Sequence, residues 1–252
     1  MNNVQDWTEA LRPYLGGSLS ALYLYGSAAM DDFRPGWSDV DMLCLLEAPP
    51  TEAQAASWVT LRQRLVAETG DPFYRCLEGA IAALPEFLAG QYSRVVYWGT
   101  SGELVTDRYD FDAFSRVSLM RYGKLLAGRE VRDQMTLPTM DELRDAVGRH
   151  LATIRQVAAQ TGPTLYACGW LLDISRCLYT LRTGDILPKT AAGEWALGEG
   201  LCPVGNDLRR ALAVRREPMR YKDDPDTIVW LGGLAPAVLK YADTLEKEWM
   251  IR

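Results

Sequence analysis

The chain has 252 residues and a mass of 28.2 kDa, enough for one large domain or two small ones. With 48% hydrophobic and 24% charged residues it has an ordinary globular composition, which excludes a fibre or a disordered chain. A net charge of −6 argues against a protein that lives on nucleic acid, and no apolar run reaches the roughly 18–20 residues of a membrane span. The first residues lack the basic and apolar regions of a signal peptide. The five cysteines contain no CxxC pair and read as buried thiols, so a cytoplasmic location is expected. The acidic excess sits in residues 1–137, with 12 Lys/Arg against 18 Asp/Glu, while residues 138–252 balance at 15 and 15. An acidic half tolerates a cationic substrate.

In chain order, Val4, Trp7, Leu11 and Leu15 share one helical face. Residues 20–25 read as a strand stopped by Gly26-Ser27, and 40–46 as a second strand. Thr51 is placed to cap a helix that carries Trp58, Leu61 and Leu65 on one face, and Gly70-Asp71-Pro72 breaks it. Residues 73–84 read as a third strand, so the first half alternates strand and helix around a mixed sheet. Residues 111–126 are expected to be helical, and Pro138 marks a boundary. Beyond it the patterns are helical only. Leu143, Val147, Leu151, Ile154 and Ala158 form a stripe, and 166–181 is apolar nearly all round, as in the central helix of a bundle. Two or three further helices are expected over 190–250, broken at 200–205 and at Glu217-Pro218. The expected architecture is an α/β (α+β) domain with a mixed sheet over 1–137, then an all-α helical bundle over 138–252.

Gly26-Ser27, eleven residues, then Asp39-Val40-Asp41 is the segment that carries chemistry. Glycine at a strand-to-helix turn lets the backbone approach a phosphate, and the turn's amides and the Ser27 hydroxyl offer donors to an anion. Asp39 and Asp41 are two apart on a strand, so they share one face and repel unless a cation lies between them. Mg²⁺ is the hard, oxygen-seeking ion that also binds substrate phosphates. A phosphate cradle beside a carboxylate pair is the apparatus of metal-assisted nucleotidyl transfer. Glu78 lies inside an apolar strand, where a charge needs a reason; it could join the same metals or take a proton from an attacking hydroxyl.

This segment resembles the signature of the nucleotidyltransferase superfamily. Residues 171–189, with Ser175-Arg176, Tyr179, Thr183-Gly184, Ile186, Pro188-Lys189 and then Trp195-Ala196, resemble the C-terminal domain of the aminoglycoside adenylyltransferases that act on streptomycin and spectinomycin. The resemblance implies that Gly26, Ser27 and Ser38 hold ATP phosphates, that Asp39 and Asp41 bind two Mg²⁺ with Glu78 close to them, and that Glu78 is the catalytic base. Lys189 would grip the triphosphate, and Arg215 stands where the family places a tyrosine near ATP. It also implies AMP transfer from ATP to a hydroxyl of a cationic small molecule, with loss of pyrophosphate, in a site between the two domains of a monomer. Trp98 could match a family tryptophan that packs on the drug. The family's acidic residue before the central helix falls on Tyr166, with Trp170 nearby.

The rival readings are nucleotidyl transfer to another acceptor, such as a protein or a different metabolite, and a catalytically silent nucleotide-binding module. Intact Asp39, Asp41 and Glu78 argue against the silent module. His150, the single histidine, reads as a packed residue, the arginines of 209–220 as a solvated helix face, and Asp223–Asp226 as a turn before a helix.

Overall fold

The structure, a computed structural model, describes residues 8, 9, 11, 13, 14, 16–68, 70–99 and 102–251. Val4, Trp7 and Leu15 of the expected first helix lie outside these. The chain forms two compact units. One comprises Met1–Phe33, Asp39–Phe111 and Ser118–Leu137; the other comprises Arg34–Ser38, Asp112–Val117 and Pro138–Arg252.

The first unit is a six-stranded sheet in the order β5-β4-β3-β2-β1-β6. Its strands are β1 (Leu19–Tyr25), β2 (Val40–Leu46), β3 (Leu77–Ala83), β4 (Val95–Gly99), β5 (Gly102–Thr106) and β6 (Lys124–Gly128). Among the described residues only β2 and β3 pair in parallel, joined by a crossover through helices α2 (Glu52–Glu68) and α3 (Pro72–Cys76). Short helices α1 (Gly26–Ala29) and α4 (Leu84–Ala89) follow β1 and β3.

Strand β2 is almost wholly apolar because both of its faces are covered. On one face Val40, Met42, Cys44 and Leu46 pack with Ile81, Val96 and Trp98 and with Trp58 and Leu61 of α2. On the other, Leu43 and Leu45 pack with Ala21, Tyr23, Tyr25, Ala80, Ala82, Leu119 and Val131. The buried Arg62 of α2 ties the helix to the sheet, donating to the carbonyls of Leu77 at 3.1 Å and Gly99 at 2.8 Å and pairing with Glu103 at 3.1 Å.

Two expected elements are corrected. Residues 72–76 are helical before β3 begins at Leu77, because Asp71 caps the Phe73 amide and Pro72 suits a first helical turn. Residues 111–126 are not one helix. A π-helical segment, Ser118–Tyr122, follows a single helical run, and Lys124–Gly128 then pairs with β1 as an edge strand. Thr51 and Gln54 form the expected cap of α2, reciprocally.

The second unit is helical: α5 (Ala113–Val117), α6 (Met140–Val157), α7 (Leu165–Thr183), α8 (Lys189–Gly198), α9 (Gly205–Arg216), α10 (Pro218–Tyr221), α11 (Pro225–Gly232) and α12 (Ala235–Met250). Five helices therefore follow residue 188, rather than two or three. Proline begins α10 and α11, at the expected Glu217-Pro218 break and the expected 223–226 turn. A Thr139/Glu142 capping box starts α6. Helix α7 is the central one, burying Leu171, Leu172, Ile174, Cys177 and Leu178, with the Ser175 hydroxyl 3.1 Å from that of Tyr241. All five thiols are free, and burial pushes those of Cys44, Cys168 and Cys177 up to about 12. No helix among the described residues is long and apolar enough to cross a membrane.

Candidate active site

Strand register assembles the first group. Asp41 of β2 pairs with Glu78 of β3 in the parallel ladder and with Tyr25 of β1 in the antiparallel one. Neighbours in register project to the same face, so both carboxylates stand side by side, half-buried, at the end of β1 where Gly26-Ser27 turns. Gly26 has φ +64°, and a Cβ there would overlap the Asp41 carboxylate. Glycine at this position thus satisfies both a backbone conformation and a close approach. Gly79, with φ +149°, meets the same demand one residue after Glu78, where a Cβ would overlap the Met42 carbonyl.

The Tyr97 hydroxyl donates to Glu78 Oε1. Burial first, and then this hydrogen bond, push the Tyr97 phenol far above its ordinary value, so it keeps its proton and its donor role. Tyr25 and Tyr109 stand beside it, hydrogen-bonded to each other and pushed up by burial. Near the turn, the Ser27 hydroxyl donates to the Asp39 carbonyl at 3.5 Å. The Gly26 amide donates to Ser118 Oγ at 2.9 Å.

The expected metal group is narrower than the spacing of its residues suggests. Among the described residues no three His, Cys, Asp or Glu side chains are grouped to hold a metal ion. Asp41 and Glu78 are neighbours by register, and Asp39 stands one residue before the strand begins. A pair of adjacent carboxylates still fits Mg²⁺, which takes one or two carboxylates and completes its shell with water and substrate phosphate.

The second unit holds another charged group. Lys189 Nζ, at the start of α8, is 3.1 Å from Asp173 Oδ2 of α7, and Arg176 Nη1 is 3.6 Å from Asp173 Oδ1. Burial by itself would raise the Asp173 carboxyl; Lys189 and Arg176, with a smaller contribution from His150, outweigh it and hold it below its ordinary value. His150 lies 3.9 Å from Asp112 and edge-on to Phe114. Its pKa is lowered chiefly by burial, so it is neutral at pH 7. Arg215 is 2% exposed and stacks over Trp37 at 5.2 Å.

Residues 138–223 match the family model "Aminoglycoside adenylyltransferase, C-terminal domain", and residues 10–73 match "Nucleotidyltransferase domain". The C-terminal segment is thus similar to that of the aminoglycoside adenylyltransferases, and the N-terminal segment to nucleotidyltransferase domains. It is a nucleotidyltransferase. Its fold is similar to that of a spectinomycin adenyltransferase, AAD(9), from Enterococcus faecialis, solved with ATP and spectinomycin. The TM-score is 0.66 at 17% identity, over 97% of this chain and 98% of that one.

Against this family background several expected adenylyltransferase contacts change. Trp98 is completely buried in the core cluster on the opposite sheet face from Asp41 and Glu78, so it is a packing residue. Its neighbour Tyr97, which no sequence motif marks, is the β4 aromatic on the Glu78 side. The Ser38 hydroxyl accepts from the Arg34 amide at 3.0 Å and closes the 34–38 turn. Arg215 is not part of a solvated arginine face but is buried against Trp37. Tyr166 is 66% exposed, and Trp170 Nε1 donates to Thr161 Oγ1 at 2.9 Å. Ser118 and Asp173 likewise carry no motif that singles them out.

Proposed function

We propose that this chain transfers AMP from ATP to a hydroxyl of an aminoglycoside or aminocyclitol, with spectinomycin the first candidate and streptomycin the second. The observation that carries this reading is the register that sets Asp41 beside Glu78 at the Gly26-Ser27 turn. The solved relative with ATP and spectinomycin supports the choice of nucleotide and acceptor.

In this reading residues 1–137 form the catalytic domain and 138–252 the helical C-terminal domain. Ser27 would hold the nucleotide phosphates, and Asp39 and Asp41, with Glu78 close to them, would hold two Mg²⁺. When bound, these ions supply the positive charge that offsets the developing charge on the attacking and leaving oxygens. Tyr97 keeps one Glu78 oxygen occupied, leaving the other to meet the acceptor hydroxyl. Glu78 takes the hydroxyl proton as the acceptor oxygen bonds to the α-phosphorus and the bond to the β-phosphate oxygen breaks, releasing pyrophosphate. Lys189 balances triphosphate charge. The acidic balance of residues 1–137 favours a cationic acceptor.

The test is pyrophosphate release from Mg·ATP against a panel of aminoglycosides and aminocyclitols, with Glu78→Gln as control. Release with spectinomycin alone agrees with Tyr166 standing where streptomycin-acting members carry an acid. Silence across the panel with Mg·ATP bound would overturn the acceptor and move the search to other hydroxyl compounds.

A further inference from the structure

The sequence motif presents Gly26 and Ser27 together as phosphate donors, yet the Gly26 amide is already engaged by Ser118 Oγ at 2.9 Å. Ser118 is only 4% exposed, and its hydroxyl also lies 4.0 Å from Met30 Sδ. It opens the π-helical segment Ser118–Tyr122. Such insertions in helical runs recur at functional sites.

The segment is held firmly. The adjacent Leu119 is completely buried in the core cluster that contains Tyr23 and Tyr25. Arg132 donates to the carbonyls of Leu119 at 3.3 Å and Gly123 at 2.8 Å. Arg132 is in turn fixed by Glu130 at 2.6 Å, and Glu130 accepts the Tyr23 hydroxyl at 2.6 Å. Tyr23 sits on β1 just upstream of the turn. Gly26 is therefore braced from its own strand and from the π-helical segment by one connected network, while the space its Cβ would need is filled by Asp41.

We propose that Ser118 is a positioning residue for the nucleotide-binding turn: its hydroxyl holds the Gly26 peptide in its left-handed conformation against Asp41. Gly26 then supplies shape, and Ser27 supplies the phosphate donors. This rests on the nucleotidyl-transfer reading above.

The test uses the full-length protein with Ser118→Ala and Ser118→Thr, the latter keeping an acceptor oxygen. Three quantities are measured: exchange of the Gly26 amide proton without nucleotide, Mg·ATP affinity by calorimetry, and the separate KM values for ATP and acceptor. Ser118→Ala should speed Gly26 exchange and weaken Mg·ATP binding about three- to tenfold, the size of one lost hydrogen bond. The acceptor KM should stay within about twofold, and Ser118→Thr should restore most of the Mg·ATP affinity. Faster Gly26 exchange with unchanged Mg·ATP affinity would overturn the positioning role. So would equal losses for ATP and acceptor that track the fall in Tm, which would mark a merely structural serine. Wild-type protein that protects Gly26 but fails to bind Mg·ATP would sink the nucleotidyl reading itself.

Discussion

The two units place their charged residues by different means. In the sheet unit Asp41 and Glu78 become neighbours because a parallel ladder runs unbroken from Val40 and Leu77 to Leu46 and Ala83. Backbone hydrogen bonds set their spacing, and no single side chain is responsible for it. In the helical unit Lys189 is held by a side-chain ion pair to Asp173 across two helices. Placement by register survives the loss of neighbouring side chains, whereas placement by an ion pair depends on one carboxylate and on pH.

The largest effect tests the register-placed site. Glu78→Gln should lower turnover about 10²–10⁴-fold while Mg·ATP affinity and Tm hold, since the amide keeps the shape but cannot take a proton. Near-normal turnover would remove Glu78 as base. Asp41→Asn should instead abolish metal-dependent nucleotide binding, read by calorimetry with and without Mg²⁺.

Next comes the face assignment within β4. Trp98→Ala should cost about 3–5 kcal/mol of stability in denaturant unfolding, as expected for a fully buried tryptophan. An unchanged midpoint with a raised acceptor KM would return Trp98 to a drug-contact role.

Asp173→Asn should cost about 1.5–3 kcal/mol, the range for a hydrogen bond to a charged partner. The folded Asp173 carboxyl lies below the ordinary 3.8, so its contribution is complete above that value and disappears as pH falls through the lower folded value. Wild type and variant should therefore differ at neutral pH and converge in acid. A gap that persists in strong acid would show that the pair does not stabilise the unit electrostatically.

The smallest effect sharpens the contrast. Tyr97→Phe removes the donor on Glu78 but leaves the register, so kcat should fall only about three- to tenfold. A loss as deep as that of Glu78→Gln would show that the hydrogen bond, rather than the ladder, places the base.

Much of this protein is legible in its residues alone. Gly26-Ser27 and Asp39-Val40-Asp41 are close in sequence, so one hairpin-like return brings them together, and the antiparallel pairing of β1 with β2 does so. The stripe from Leu143 to Ile154 reports a helix face because its period belongs to the helix alone. The pattern misleads at residues 111–126, where apolar residues at helical spacing also suit a partly covered edge strand and pairing with β1 makes the choice.

By itself the sequence determined the order of a mixed sheet followed by helices and the Gly26-Ser27 to Asp41 motif, because each rests on local patterns or on residues near one another along the chain. Tertiary structure alone decided that Tyr97 rather than Trp98 meets Glu78 and that Ser118, 92 positions away, engages the Gly26 amide. Adjacent residues on a strand face opposite ways, so which of the two aromatics meets the carboxylate follows from the pairing of β3 with β4. A hydrogen bond across such a separation leaves no periodic trace; only packing brings its two ends together.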